Sequence, residues 1–393
     1  MSHWPLKPIG EICEVNPRLQ RGHSVAADQI VSFVPMAAVD EVSGTIQARH
    51  TRPYAEVKKG YTHFKDGDVL FAKITPCMEN GKAAIASELA GGLGFGSTEF
   101  HVLRAKDGVL PEWLFYFIRQ PAFRSEAKRN FTGTAGQQRV PTTFLASATL
   151  PVPPLPEQRR IVDLLSRAEG IVRLRREAEK KAAELIPALF LDMFGDPATN
   201  PKGWRTASLG DLCTRITDGT HQPPKFQESG IPFIFVANIV QGRLSLDASK
   251  FIAEETYVEL TRRCPIERGD VLYSTVGSYG VPVKVDTDEK FSFQRHIAHL
   301  KPDRQQLESD FLVGMLATPA LQMQADAAAR GIAQKTINLG EIRKYQVIAP
   351  PIEAQRAFAA KVEAARSIQT QQSAASDKAQ AAFDALLAQA LQP

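Results

Sequence analysis

The chain carries the same plan twice. Pro153-Pro154-Leu155-Pro156-Glu157-Gln158-Arg159 returns as Pro350-Pro351-Ile352-Glu353-Ala354-Gln355-Arg356, 197 residues later (350 − 153). Upstream, Trp4, Ile9, Gly10 and Cys13 are answered by Trp204, Leu209, Gly210 and Cys213. Phe33, Val34 and Ala37 are answered by Phe233, Ile234 and Ala237, and Gly67-Asp68-Val69-Leu70-Phe71 by Gly269-Asp270-Val271-Leu272-Tyr273. Gln137 aligns with Gln334 and Val140 with Ile337. The offset drifts between 200, 202 and 197, as loop insertions and deletions would make it do. A collinear series of this kind predicts two like modules, each followed by the same connecting element.

Composition bounds what those modules can be. A hydrophobic content of 44% lets each half bury a core. The net charge of +4 is mild, and the excess is spread over both halves: 25 Lys+Arg against 22 Asp+Glu in residues 1–196, and 22 against 21 in the remainder. A surface that binds anions must therefore arise from clustering in the fold, since gross charge does not supply it. The four cysteines, Cys13, Cys77, Cys213 and Cys264, form no Cys-x-x-Cys pair, which argues against a zinc or redox motif and a secreted disulfide framework. Cys13 and Cys213 sit at matching repeat positions and read as small core residues. The first residues lack the apolar stretch of a signal peptide. The longest near-continuous apolar run, Ile231 to Val240, is about half a membrane span. A cytoplasmic protein is expected.

Within residues 1–150, Ile30–Val34, Asp68–Ala72 and Phe100–Leu103 are strand candidates, and Pro111–Ile118 reads as a buried helix with proline in its first turn. The second half repeats the theme with Phe233–Val236, Val271–Ser274 and a helical Phe311–Leu316. The prolines at 151–156 stop strand continuation and suit a helix start. From Glu157 to Phe194, Ile161, Leu165, Ala168, Val172, Ala182, Ile186, Leu189 and Met193 follow a 4-3 apolar spacing. Arg175 and Glu179 interrupt it, Pro187 should kink it, and Gly195-Asp196-Pro197 should end it. At 1.5 Å per residue this rod measures roughly 57 Å. A second rod, Ile352 to Leu391, offers Val362, Ala365, Ile368, Ala375, Ala379, Phe383, Leu386 and Leu387. Rods with such narrow apolar stripes are unstable alone, so the two are expected to pack antiparallel. The predicted fold is α+β: two similar globular α/β domains, 1–152 and 197–349, separated by a long antiparallel two-helix coiled coil built from 153–196 and 350–393, with an internal pseudo-two-fold repeat.

Several strings together resemble a type I restriction–modification specificity subunit. They are Pro153–Val162, Leu191-Asp192-Met193-Phe194-Gly195-Asp196-Pro197, Asn200-Pro201-Lys202-Gly203-Trp204, Gly96–Arg104, Asp218-Gly219-Thr220-His221 and Gly230–Ile234. The second proline motif departs from the pattern, with Glu353-Ala354-Gln355 where the first has Pro156-Glu157-Gln158, and the second helix is unusually rich in alanine. The resemblance implies a non-catalytic subunit. Each globular part would be a target-recognition domain reading one half of a split DNA sequence. The helices would set the spacer and dock two methyltransferase subunits, with a motor and nuclease subunit completing the complex. S-adenosylmethionine, ATP and Mg would belong to those partners, and no cofactor to this chain.

The residues themselves show no methyltransferase or nucleotide-binding string. Gln222-Pro223-Pro224-Lys225 lacks the flanking residues that would hold a flipped base. The glycine-rich run Gly91–Gly96 precedes a strand and reads as a loop, and Pro302-Asp303 with Glu308 reads as loop chemistry. Base readout needs two-pronged side chains, Arg for guanine and Gln or Asn for adenine. Three regions have that composition. Lys73, Thr75, Asn80 and Lys82 follow a strand in the first half, with Ser274, Thr275, Ser278 and Tyr279 as counterparts. Thr134, Gln137, Gln138 and Arg139 lie in the loop Thr132–Arg139, answered by Gln334 and Lys335 in Arg330–Thr336. Thr220 and His221 form the third region, in the second half only. Arg124, Lys128 and Arg129 share a helical stretch that could meet phosphate. Plain solvated turns are the alternative for each loop, and exposed helix charge for the arginines and lysine. Two other functions stay open on the residues alone: a self-sufficient DNA-modifying enzyme, and a coiled-coil interaction protein without DNA specificity.

Overall fold

The computed structural model describes residues 4–19, 25–48, 50–134, 137–240, 242–331 and 334–391. It divides into two units, Met1–Glu177 with Ala374–Pro393, and Ala178–Ser373. Each long helix is thus shared between them.

In the first unit, Val69–Ala72 is the buried centre of a four-stranded antiparallel sheet, in the order Cys13–Val15, Phe100–Ala105, Val69–Ala72, Ala83–Ile85. All four of its residues are buried, so it reads as an apolar run without alternation. The Gly67-Asp68 turn starts it. The Gly67 N–H donates to the Ala86 carbonyl, Asp68 accepts from the Lys65 N–H, and Arg104 on the neighbouring strand grips the Asp68 carboxylate through two bonds of 2.9 and 2.7 Å. A second sheet runs His50–Pro53, Ile30–Val34, Leu93–Gly96, Thr62–Lys65, with its two middle strands parallel. The glycine-rich run therefore ends in a strand. Gly94 and Gly96 let the Phe64 ring and the Val34 carbonyl come closer than any Cβ would permit. The helix Pro111–Arg119 buries Trp113, Leu114 and Ile118 in one core with Phe71 and Leu145. Ile161, Leu165 and Val172 of the central helix join that core, as do Phe383 and Leu387 of the C-terminal helix and Leu391 just after it.

The second unit repeats the first sheet strand for strand: Cys213–Asp218, Ile297–Pro302, Val271–Ser274, Pro282–Lys284. It also repeats the parallel pairing of Ile231–Ile234 with Ser292–Phe293. The expected strand Phe233–Val236 begins and ends earlier than read, because Val236–Asn238 turns into a 3-10 segment on the Asn238 side chain, which accepts from the Phe235 N–H. Asp270 takes the place of Asp68. It accepts from the Glu267 N–H and binds His299 at 2.6 Å and Lys301 at 2.9 Å.

The central helix runs without a break from Leu155 to Phe194, and the C-terminal helix from Ile352 to Ala390. Pro187 lies inside the first and does not end it. Gly195 ends it in the left-handed region, φ 79°, with its N–H on the Leu191 carbonyl. Inside the second unit, Phe190 and Phe194 pack on Phe358 at centroid distances of 5.6 and 5.5 Å, and Gln369 donates to the Ala182 carbonyl. Inside the first unit, Arg176 donates to Gln380. In the second unit the partners 182 with 369 and 190 with 358 run in opposite chain order, so the helices are antiparallel there, as expected.

The repeated proline–glutamine motif proves to be a bolt. Gln158 is fully buried. Its Oε1 accepts from the Leu110 N–H at 2.9 Å, and its Nε2 donates to the carbonyls of Gly108 and Pro153 at 2.8 Å each. Gln355 makes the same set with the Glu308 N–H and the carbonyls of Gln306 and Pro350. Each glutamine locks the start of a long helix to the loop that leads into the buried helix of its own unit.

Candidate nucleic-acid interface

Each unit builds one platform from two loops. In the first, the segment after strand Val69–Ala72 is laced to the loop around Thr132–Arg139. The Lys73 N–H donates to Glu99 O (2.9 Å), Val140 N–H to Lys73 O (2.9 Å) and Thr75 N–H to Gln138 O (3.0 Å), while Thr132 and Arg139 exchange both backbone bonds. In the second unit, Thr275 N–H donates to His296 O (3.0 Å), Ile337 N–H to Thr275 O (2.9 Å) and Gly277 N–H to Lys335 O (3.3 Å), and Arg330 and Thr336 exchange theirs. Gly133 and Gly331 turn these loops at φ 113° and 115°. A Cβ at Gly133 would lie 2.9 Å from Gln137 O, and one at Gly331 would collide with Gln334 O. Ala135 and Gly136, with Ile332 and Ala333, lie outside the described residues.

The side chains predicted to read DNA divide sharply. Ser274 and Thr275 are buried, and the Ser274 hydroxyl bonds to Ser278 O and Val281 N–H, so these two shape the platform from beneath. Arg139 is committed to Glu99 through two bonds of 2.9 and 2.8 Å, which hold the Glu99 carboxyl below its ordinary range. Lys82 is held by Glu41 (3.1 Å) and the Val39 carbonyl, Thr75 by Glu79, and Tyr279 by Asp326 (2.7 Å). Arg124 donates to Glu79 O, Lys128 pairs with the Glu79 carboxylate, and Arg129 is exposed. Thr220 spends its hydroxyl on Gln222 O and its backbone on a bridge to Gln294, while His221 leans on Asp218 at 2.9 Å. What remains at the surface, with no side-chain partner among the described residues, is Asn80, Thr134, Gln137 and Lys73 in the first unit and Ser278, Gln334 and Lys335 in the second. Gln138 is half-buried and also unpartnered. The carboxylates read as loop chemistry are caps: Asp303 binds Gln305 and Gln306, and Glu308 accepts from Phe311 N–H at the start of Ser309–Leu316.

One first-unit segment escaped the sequence reading. Thr220-His221 looked unmatched, yet the strand before it, Cys213–Asp218, is the counterpart of Cys13–Val15. The corresponding exit in the first unit is Asn16-Pro17-Arg18-Leu19. The shared cysteine at the head of both strands was the available signal.

The family comparison matches a description reading "Type I restriction modification DNA specificity domain", over residues 1–184 and again over 201–374. The chain belongs to that family. Its two matches fall on the two copies of the repeat. Among curated specificity subunits, 165 residues are 40% identical to the type I restriction enzyme EcoEI specificity subunit of Escherichia coli, a stretch covering 42% of this chain and 27% of that protein. The EcoAI specificity subunit of the same organism is 39% identical over 160 residues, 40% of this chain and 27% of its own. This chain thus spans little more than a quarter of those relatives' length. A solved chain from work on "complex assembly" and "conformational transition of the type I R-M system" shares the fold at TM-score 0.63 and 23% identity, covering 99% of this chain and 97% of that one. Among the described residues of this family member, no helix is long and apolar enough to cross a membrane.

Proposed function

We propose that this chain is the non-catalytic specificity subunit of a type I restriction–modification complex, working in the cytoplasm. Each unit reads one half of a bipartite, asymmetric DNA target with its paired-loop platform. The long helices set the unread spacer and seat two methyltransferase subunits, to which a motor and nuclease subunit is added. S-adenosylmethionine, ATP and Mg belong to those partners.

One observation carries the reading: the two units place the same loop pair, bonded through the same backbone positions, at the end of the same strand. The scaffold is constant and both loops present a glutamine, Gln137 and Gln334, while the other free side chains differ, Asn80 and Lys73 in one and Ser278 and Lys335 in the other. A constant frame with variable presented groups is what reading two different half-sites requires. The test is expression of this chain with its methyltransferase partners, followed by genome-wide mapping of methylated adenines. The expected outcome is one split motif with a fixed gap. A contiguous motif, or no motif, would contradict the assignment.

A further inference from the structure

We propose that the pocket at the strand exit of the first unit is a phosphodiester clamp, in which Arg18 and Lys73 hold one backbone phosphate of the bound DNA. The clamp rests on the DNA-reading assignment above and adds to it a division of labour within one unit. The pocket encloses about 300 Å³ and is lined by Asn16, Arg18, Tyr61, Thr62, Lys73 and Thr142, among others. It opens beside the platform, because Lys73 is the first residue of the segment that pairs with the loop around Thr132–Arg139.

Lys82, Arg104, Arg119, Lys128 and Arg139 in this unit each hold a carboxylate. Arg18 and Lys73 hold none among the described residues. The acid that Lys73 acts on through space, Glu99, is itself occupied by the Arg139 guanidinium. Two cations without an ion-pair partner in one concave site raise the local potential and favour an anion.

The remaining groups decide between a phosphate and a base edge. Asn16 is the one carboxamide in the pocket, and both of its ends are spent. Its Oδ1 accepts from the Val102 N–H at 3.0 Å, and its Nδ2 meets His101 Nδ1 at 3.1 Å. That anchorage fixes Asn16 at φ 54° and sets the course of the chain that carries Arg18. With its amide consumed, the pocket offers two cations, the hydroxyls of Tyr61, Thr62 and Thr142 and the His63 ring, a set rich in donors for phosphate oxygens. Among the described residues the second unit does not repeat the Arg18 and Lys73 pair at these positions. Thr275 stands at the place of Lys73 and is buried, and its strand exit carries Asp218 and Gly219, where a side chain on Gly219 would collide with the Phe293 carbonyl.

The test uses the full chain assembled with its methyltransferase subunits, on DNA carrying the mapped target, with affinity measured over a salt series. Arg18→Gln with Lys73→Gln should weaken binding to every sequence alike and reduce the slope of log K against log salt by about 1, the share of one phosphate. The charge-preserving exchange Arg18→Lys with Lys73→Arg should keep the slope. The two single glutamine substitutions read the same slope, so a folding failure of the double variant does not hide the result. An unchanged slope overturns the clamp, and so does a changed methylation motif, which would make these residues base readers. Failure of the DNA-reading assignment looks different: the unsubstituted complex would then show no sequence preference.

Discussion

Gln158 and Gln355 are each closed off from solvent while satisfying three backbone groups apiece. Replacing either by leucine strands those groups in the interior, where an unsatisfied polar group costs about 1–3 kcal/mol. Both Gln158→Leu and Gln355→Leu should lower unfolding stability by about 3 kcal/mol or more, read by denaturant titration. A loss under about 1 kcal/mol would show that water or a rearranged loop takes over. Two histidines make the units respond oppositely to pH. Burial pulls the His101 imidazole below its ordinary 6.5, partly opposed by its bond to the Val140 carbonyl. Its contribution to stability is therefore complete above pH 6.5 and declines as pH falls toward the lower folded value. For His299, burial also pulls down, but the bonds to Asp270 and Cys264 win and hold it above 6.5. Its contribution is complete below pH 6.5 and is lost as pH rises through the higher folded value. Hydrogen exchange followed between about pH 5.5 and pH 8, corrected for intrinsic rates, should show the first sheet gaining protection and the second losing it. Parallel trends in both would refute this pairing of signs.

At the scale of elements, the two long helices divide their burial unevenly. Ile161, Leu165 and Val172 keep the expected seam in the first unit. In the second, the side chains that close the core are Phe190 and Phe194, with Leu189 and Met193 only partly covered. Gly314 makes this possible, because its missing side chain leaves room for the Phe190 and Phe358 rings. Ile368, expected on the buried stripe of the second helix, is exposed. The register of such a pair is held by its 4-3 spacing, so an extension must preserve it. Seven residues inserted in both helices, after Arg173 and before Phe383, add about 10.5 Å of rod at 1.5 Å per residue. The unread gap in the methylated motif should lengthen by about 3 base pairs, at 3.4 Å each. An unchanged gap would remove the helices from their role in setting it.

For the whole molecule, modularity makes a separable prediction. Exchanging residues 1–150 for the corresponding region of another specificity subunit should change one half of the methylated motif and leave the other half as it was. Alteration of both halves would show that the units do not read independently. The same logic assigns the greater salt sensitivity to the half-site contacted by the first unit, where Arg18 and Lys73 lie.

The sequence by itself determined the duplication, the long helices and the strands that lie at the heart of each unit. These rest on local signals: periodicity, proline and glycine punctuation, and runs of buried β-formers such as Val69–Ala72 and Val271–Ser274. It also placed the two loops that form each platform. Which of their side chains are free was decided only by tertiary structure. Arg139, Lys82 and Tyr279 looked like readers by residue type, yet each meets an acid distant in sequence, Glu99, Glu41 and Asp326. Arg18 was missed for a different reason: Cys13 and Cys213 already matched the two strands in the sequence, but that Arg18 lines a pocket with Lys73 appears only in the folded chain. A side chain's availability depends on what long-range packing brings within hydrogen-bond reach, and no local pattern encodes that.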